Sequence, residues 1–288
     1  MRFASSAKKP SVSCRKVVRG FTLLELLAVI AIISVLAAIL LPALAGARER
    51  SRGIYCLNNT RQLVLAWQLY ADDHEGLLPY NLVMTEWSAR TNINWVNDVM
   101  TWDLSSDNTN VATITEASLG SYVVGLTGIY HCPSDHVLSA AQQAAGWNQR
   151  IRSYSMNAMV GNAGSAIVGG ANVNNPSYAQ FFKIEQMPHP TDIFVFLDEH
   201  PDTIDDGYFI PNFAAGTGWG SSVVANNEWQ DLPASYHNRA AAFSFGDGHA
   251  SLHRWNDSST YAPSFPPQIS AAAVEDFQWV LDHMSVSD

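Results

Sequence analysis

From Phe21 to Leu44 the chain is almost wholly apolar, broken only by Thr22, Glu25, Ser34, Pro42 and small residues. A helix of that length rises about 36 Å, enough to cross the hydrocarbon core of a bilayer. The pattern then changes. Over residues 45–71, Leu63, Ala66, Trp67 and Tyr70 fall at i, i+3, i+4 and i+7, one apolar stripe on a helix facing a core. Arg48, Glu49, Arg50 and Arg52 form a charged collar between the two halves. The spacing predicts one long helix, bent at Pro42, which lacks a backbone donor, and ended before Gly76 and Pro79.

Downstream the period shortens. Residues 80–130 are rich in Asn, Thr and Trp and predict loops and short helices. Gly128–Asp135 reads as a short strand stopped by a turn, 136–149 as a short helix and Ser153–Asn157 as a strand. The Gly- and Asn-rich stretch 161–178 reads as an exposed, mobile loop. Thr191–Leu197 is a continuous apolar run suited to a central strand. Ala240–Phe245, Gly246-Asp247-Gly248-His249 and Ala250–Trp255 read as strand, tight turn and return strand. A short amphipathic helix follows over 270–284. Helix first and strands later, without βαβ alternation, predicts an α+β fold with the long helix against an antiparallel sheet.

Charge divides the chain. Residues 1–20 hold Arg2, Lys8, Lys9, Arg15, Lys16 and Arg19 and no acid. The whole chain has 16 Lys and Arg against 26 Asp and Glu, so loss of those six leaves ten against 26, a net −16. That balance argues against a nucleic-acid partner, whose footprint is basic. The basic flank would stay cytoplasmic and place the body across the membrane. Of three cysteines, Cys14 lies in the leader. In an oxidising compartment Cys56 and Cys132 are candidates for a disulfide, with two buried thiols as the alternative.

Gly20-Phe21-Thr22-Leu23-Leu24-Glu25, between the basic leader and the apolar run, resembles the start of type IV prepilins and type II secretion pseudopilins. The resemblance covers residues 19–44 and implies a leader 1–20, an assembly helix 21–44 and a pilin-like extracytoplasmic domain 45–288. It implies cleavage by a prepilin peptidase between Gly20 and Phe21, N-methylation of Phe21, and Glu25 as the acid that meets a neighbouring subunit. Ala43-Leu44-Ala45 would pass for a signal-peptidase site. A signal peptide, however, gains nothing from Glu25, and a carboxylate within a membrane segment costs about 2.5–3.5 kcal/mol on insertion scales.

His237, nine residues, then Asp247-Gly248, together with Tyr130-His131-Cys132-Pro133-Ser134-Asp135, resembles pseudopilin-like proteins with a C-terminal H-X9-DG motif. Read from the residues alone, Asp-Gly between apolar strands is a hairpin turn first, with His237 bonding Asp247 across a bend at Asn238-Arg239. A ligand role for His237, Asp247 or His249 is the alternative. Asp198-Glu199-His200-Pro201-Asp202 with Asp205-Asp206-Gly207 reads as a solvated acidic loop, with calcium as the occupant it would otherwise admit. No G-x-S-x-G elbow or H-E-x-x-H helix occurs, and Gly161-x-x-Gly164 and Gly216-x-Gly218 lack phosphate-loop context. The sequence therefore predicts no enzyme and no cofactor. It predicts a structural pseudopilin or minor pilin, single-pass in the inner (cytoplasmic) membrane and partnered by a prepilin peptidase and other pilin subunits. The alternative is an anchored binding module that stacks a polymer on Trp87, Trp95 and Trp102.

Overall fold

The computed structural model describes residues 21–83, 92–212, 228–270 and 272–286. Its first element is α1, Leu23–Asp73. The helix ends where Glu75 (φ 55°) and Gly76 (φ 81°) turn left-handed and Gly76 N–H bonds Ala71 O at 2.8 Å. Helical structure continues through Pro42. The chain divides into two units, Met1–Ala47 and Arg48–Asp288. In the first unit Leu26, Ile32 and Leu40 are more than half exposed, as a helix hydrophobic all round requires of a nonaqueous surrounding. One 18-residue window of α1 has a mean hydropathy of 2.9, so the helix is long and apolar enough to cross a membrane.

The second unit contains the other elements: helices α2 (Ala112–Thr115), α3 (Ala140–Ala144), α4 (Ser258–Tyr261) and α5 (Val274–Asp282). Its strands are β1 (Tyr154–Asn157), β2 (Ile167–Val168), β3 (Ala171–Asn172), β4 (Phe194–Asp198), β5 (Tyr208–Phe209), β6 (Ala240–Phe245) and β7 (Ala250–Arg254). Five strands make one sheet in the order β5-β1-β4-β6-β7. Every pairing is antiparallel except β1 with β5, so the sheet is mixed but antiparallel-dominated and the expected α+β fold, long helix against sheet, is the one formed. β2 and β3 form a separate hairpin.

The sheet is covered on both faces. On one, the predicted stripe of α1 (Leu63, Ala66, Trp67 and Tyr70) packs with Met156, Val195, Phe196 and Ala242. On the other, Phe194, Leu197, Ala241, Phe243 and Phe245 pack with Trp255 and with Ala273, Val280 and Met284 in and around α5. Burial from both sides explains why β4 up to Leu197 and β6 apart from Ser244 read as apolar runs. It also explains Val195 and Phe196, neighbours in sequence that share a core. The register shifts between Phe194 and Phe196, and the bulge reverses the in–out alternation there. That reversal turns Asp198 toward α1.

Two local expectations fail, and the alternative stacking platform loses a ring. Residues 127–130 form a 3-10 turn and not a strand. The 161–178 stretch carries β2 and β3, with Asn172 and Asn174 buried on the Tyr208 hydroxyl, at 2.8 and 3.3 Å, so much of it is anchored. Trp95 is fully buried, its Nε1–H donating to Asn81 Oδ1 at 3.0 Å and Gly207 O at 3.1 Å. Trp102 lies half-buried under the Arg150 guanidinium, 4.3 Å from the ring centre. Trp87, like Gly216 and Gly218, lies outside the described residues.

Candidate functional site

Four segments converge under α1. Cys56 is on the buried face of the helix, seven residues before Leu63, and so two helical turns away on the same stripe. Cys132 follows the 127–130 turn, and its loop is tied to α1 by Asn59 Nδ2–H donating to His131 O at 3.0 Å. The same loop is tied to the start of β1 by Ser153 Oγ–H donating to Asp135 Oδ2 at 2.7 Å. Asp198 ends β4, facing α1 because of the bulge. His237 precedes a tight turn whose central residues Asn238 (φ 56°) and Arg239 (φ 67°) are both left-handed, with His237 N–H bonded to Ala240 O at 3.2 Å.

The donor atoms of these four residues all lie within 4.8 Å of one another, and all four residues are buried. Cys56 Sγ is 3.0 Å from Cys132 Sγ and 3.3 Å from Asp198 Oδ2. His237 Nε2 is 3.3 Å from Asp198 Oδ2 and 3.4 Å from Cys132 Sγ. The Tyr154 hydroxyl touches Cys56 Sγ at 2.9 Å, and Ala242 N–H donates to Asp198 Oδ1 at 2.5 Å. Both cysteines are free thiols, so the structure brings the two together without a bond between them. Burial works against the charged imidazole, but the bonds to Asp198 and Cys132 outweigh it and push His237 up to about 10. Burial and the Cys132 hydrogen bond push the Cys56 thiol well up. For Cys132 burial opposes ionisation, while Cys56 and His237 outweigh it and hold its thiol below the usual range.

The expected contact between His237 and Asp247 does not form. The bend at Asn238-Arg239 is present, yet six-residue β6 follows it and separates the two groups by about 20 Å. Asp247 instead serves its own turn. Its Oδ1 accepts from His249 N–H at 3.1 Å and lies 2.6 Å from His249 Nδ1, and Gly248 supplies φ 92°. The hairpin role read for Asp247-Gly248 therefore stands, and His237 belongs to a different constellation.

The acidic loop is also corrected. Glu199 and Asp206 are buried, with Asp231 beside them, and the loop is not a solvated face. Among the described residues Asp198 is the one carboxylate of this loop that joins a set of converging ligand atoms, the set under α1. Burial pushes Glu199 up to about 8 and Asp206 and Asp231 well up, and the charge of Asp205 raises all three further. A carboxyl raised from its ordinary value of 4.5 to about 8 stabilises the fold fully below pH 4.5, and that contribution is lost as pH rises through 8. Unfolding free energy should thus fall by about 1.4 kcal/mol per pH unit for this one carboxyl across that window. Between pH 6.5 and 8 the effect is free of His253, which burial pushes down to about 4 and which destabilises only below its unfolded value of 6.5. His237, Asp206 and Asp231 are raised as well and add slopes of the same sign in this interval. Urea titrations should therefore show a steeper fall, and Glu199→Gln should reduce it by about 1.4 kcal/mol per pH unit without abolishing it; an unchanged slope in the variant would assign none of it to Glu199.

At the other end, Glu25 closes a capping box. Thr22 N–H and Oγ–H both donate to Glu25 Oε2, at 2.9 and 2.8 Å, and Glu25 N–H donates to Thr22 Oγ1 at 3.2 Å. The spacing Thr-x-x-Glu was the signal for this in the sequence. Phe21 is exposed, and Gly20 lies outside the described residues. No curated protein and no solved structure matches the chain. Residues 15–41 match the family model described as the prokaryotic N-terminal methylation motif. The chain therefore carries a prepilin-type N-terminus ahead of an apolar helix, a start that supports a pilin- or pseudopilin-type subunit processed by a prepilin peptidase and assembled with other pilin subunits.

Proposed function

We propose that the chain is a structural pseudopilin or minor pilin that polymerises through α1 in a type II secretion or type IV pilus-like system. The observation that carries this reading is the methylation motif at 15–41 running directly into a helix whose apolar side chains are exposed all round. Such a helix needs either lipid or the equivalent helices of neighbouring subunits, and an assembling pilin helix meets both in turn. On this reading the basic leader stays on the cytoplasmic side of the inner membrane with the cleavage site, and the Arg48–Asp288 unit lies on the extracytoplasmic side, an orientation supported by the excess of Lys and Arg before the apolar run. The His237…Asp247-Gly248 spacing fits the H-X9-DG group of pseudopilin-like proteins, with no catalytic role assigned to it. The stacking-platform alternative loses Trp95 to the core.

The test is the terminus of the membrane-extracted protein. Cleavage between Gly20 and Phe21 keeps the anchor, so mass analysis should give a chain beginning at N-methylated Phe21, and Gly20→Leu should leave the precursor uncut. A terminus after Ala45 would mean that the apolar segment is a signal peptide and would overturn the assembly reading.

A further inference from the structure

Two sulfurs, one imidazole nitrogen and one carboxylate oxygen, all buried and mutually close, form a donor set that hydrogen bonding alone does not require. We propose that Cys56, Cys132, Asp198 and His237 bind a single zinc ion, which ties α1 to the Cys132 loop, to the end of β4 and to the turn before β6. The geometry is near that of the ion. Tetrahedral zinc with bonds of about 2.0–2.3 Å sets its ligand atoms roughly 3.3–3.8 Å apart. Three of the observed separations are 3.3, 3.3 and 3.4 Å, and the sulfur–sulfur one is 3.0 Å, so the sulfurs need to part by less than an ångström.

The chemistry selects the metal. Two thiolates and an imidazole suit zinc and do not suit calcium, a hard cation that takes six or more oxygens. Four protein donors with no exposed position make a closed, structural site and not a catalytic one. The surrounding bonds are those of an ordered ligand shell. Ala242 N–H holds Asp198 Oδ1 and so leaves Oδ2 toward the other three donors, and the Tyr154 hydroxyl can donate to the Cys56 thiolate. Zinc entering the reduced site displaces the two thiol protons and the Nε2 proton of the imidazolium to solvent, with no change of oxidation state. The rival is a Cys56–Cys132 disulfide, which would use two of the four donors and leave Asp198 and His237 as an ion pair beside it.

The proposal is independent of the assembly reading, and its experiment reads metal and thiol state only. The full-length protein, extracted in detergent without chelator or reductant, should contain zinc at one ion per chain by elemental analysis. Cys56 and Cys132 should resist alkylation until the protein is denatured with chelator. Replacing zinc with Co²⁺ should give a thiolate-to-cobalt charge-transfer band and the intense visible bands of a tetrahedral site. Chelation should lower Tm by about 5 °C or more. His237→Ala and Cys132→Ser should lose stoichiometric zinc while Asp247→Ala keeps it; where a variant does not fold, the cobalt spectrum of the unaltered protein decides. A chain lighter by two hydrogens with Cys56 linked to Cys132 and no metal would overturn the proposal. So would two free thiols that take up neither Zn²⁺ nor Co²⁺.

Discussion

Arg152→Met should destabilise the Arg48–Asp288 unit by about 3–5 kcal/mol, the usual cost of breaking a buried ion pair from one side. The Arg152 and Asp98 side chains are both fully buried, with Nε bonded to both Asp98 oxygens at 3.2 and 3.0 Å. The guanidinium is also a backbone bracket. Nη1 donates to Tyr154 O at 2.6 Å and Ser155 Oγ at 3.0 Å, and Nη2 donates to Asp206 O at 2.7 Å. Removing it strands a carboxylate and several acceptors inside the protein, and the Asp206 backbone leads into β5, the edge strand paired with β1. Met nearly fills the volume, so little of the loss comes from a cavity. In a unit of this size the change lowers Tm by roughly 6–20 °C. Arg152→Met with Asp98→Leu should recover only part, because the carbonyls of Tyr154 and Asp206 stay unpartnered. Urea unfolding followed by tryptophan fluorescence measures both. A single variant within about 1 kcal/mol of the unaltered protein would show that the bracket contributes little.

Periodicity carried most of the fold. The α1 stripe, β4, β6, the β6–β7 hairpin and α5 were legible because each pattern is local: 3.6-residue spacing, apolar runs, or Asp-Gly between strands. The misplaced segments depend on partners far away in sequence. Residues 127–130 are apolar enough for a strand, but their backbone turns back on itself and presents Tyr130 O to Ser153 N–H at 2.9 Å. The 161–178 stretch has a loop's composition and is fixed by asparagine side chains reaching Tyr208 and Gln180, contacts that leave no period. Parallel β5 is two residues long, too short to read as a strand.

The site was legible residue by residue and illegible as a whole. Cys56 and Cys132 stood out as a pair, His237 as the start of a spaced motif, and Asp198 as the first acid of an acidic loop. Nothing in sequence joins residues so widely spaced. What joins them is the β4 bulge, which turns Asp198 to the α1 face, and the left-handed Asn238-Arg239 turn, which delivers His237 there. The motif spacing itself misled. Nine residues between His237 and Asp247 are filled by a turn, an extended strand and the start of a hairpin, so the two ends lie at opposite ends of β6.

Glu25→Gln should fold, insert and be processed as the unaltered chain, yet enter the polymer at least about tenfold less well, the factor that follows from losing about 1.4 kcal/mol. The capping box makes this substitution more informative than Glu25→Ala. Glutamine retains an oxygen for the bonds from Thr22 N–H and Oγ–H, and so preserves the helix start while removing the charge. Two bonds to a charged acceptor contribute about 1.5–3 kcal/mol each and so can offset the 2.5–3.5 kcal/mol or so that a carboxylate costs within a membrane segment. An amide, however, would close the same cap without bringing a charge into the segment. The cap alone therefore gives no reason for a glutamate here. A positive partner does, and on the assembly reading the neighbouring subunit's terminal Phe21 amine is the cation at the same depth. Glu25→Ala removes both cap and charge and should fail at least as completely. Incorporation is measured by co-expressing tagged variant and untagged chain and quantifying the tag in sheared polymer. If Glu25→Gln enters normally while Glu25→Ala does not, Glu25 acts through the helix start and the intersubunit pair is ruled out.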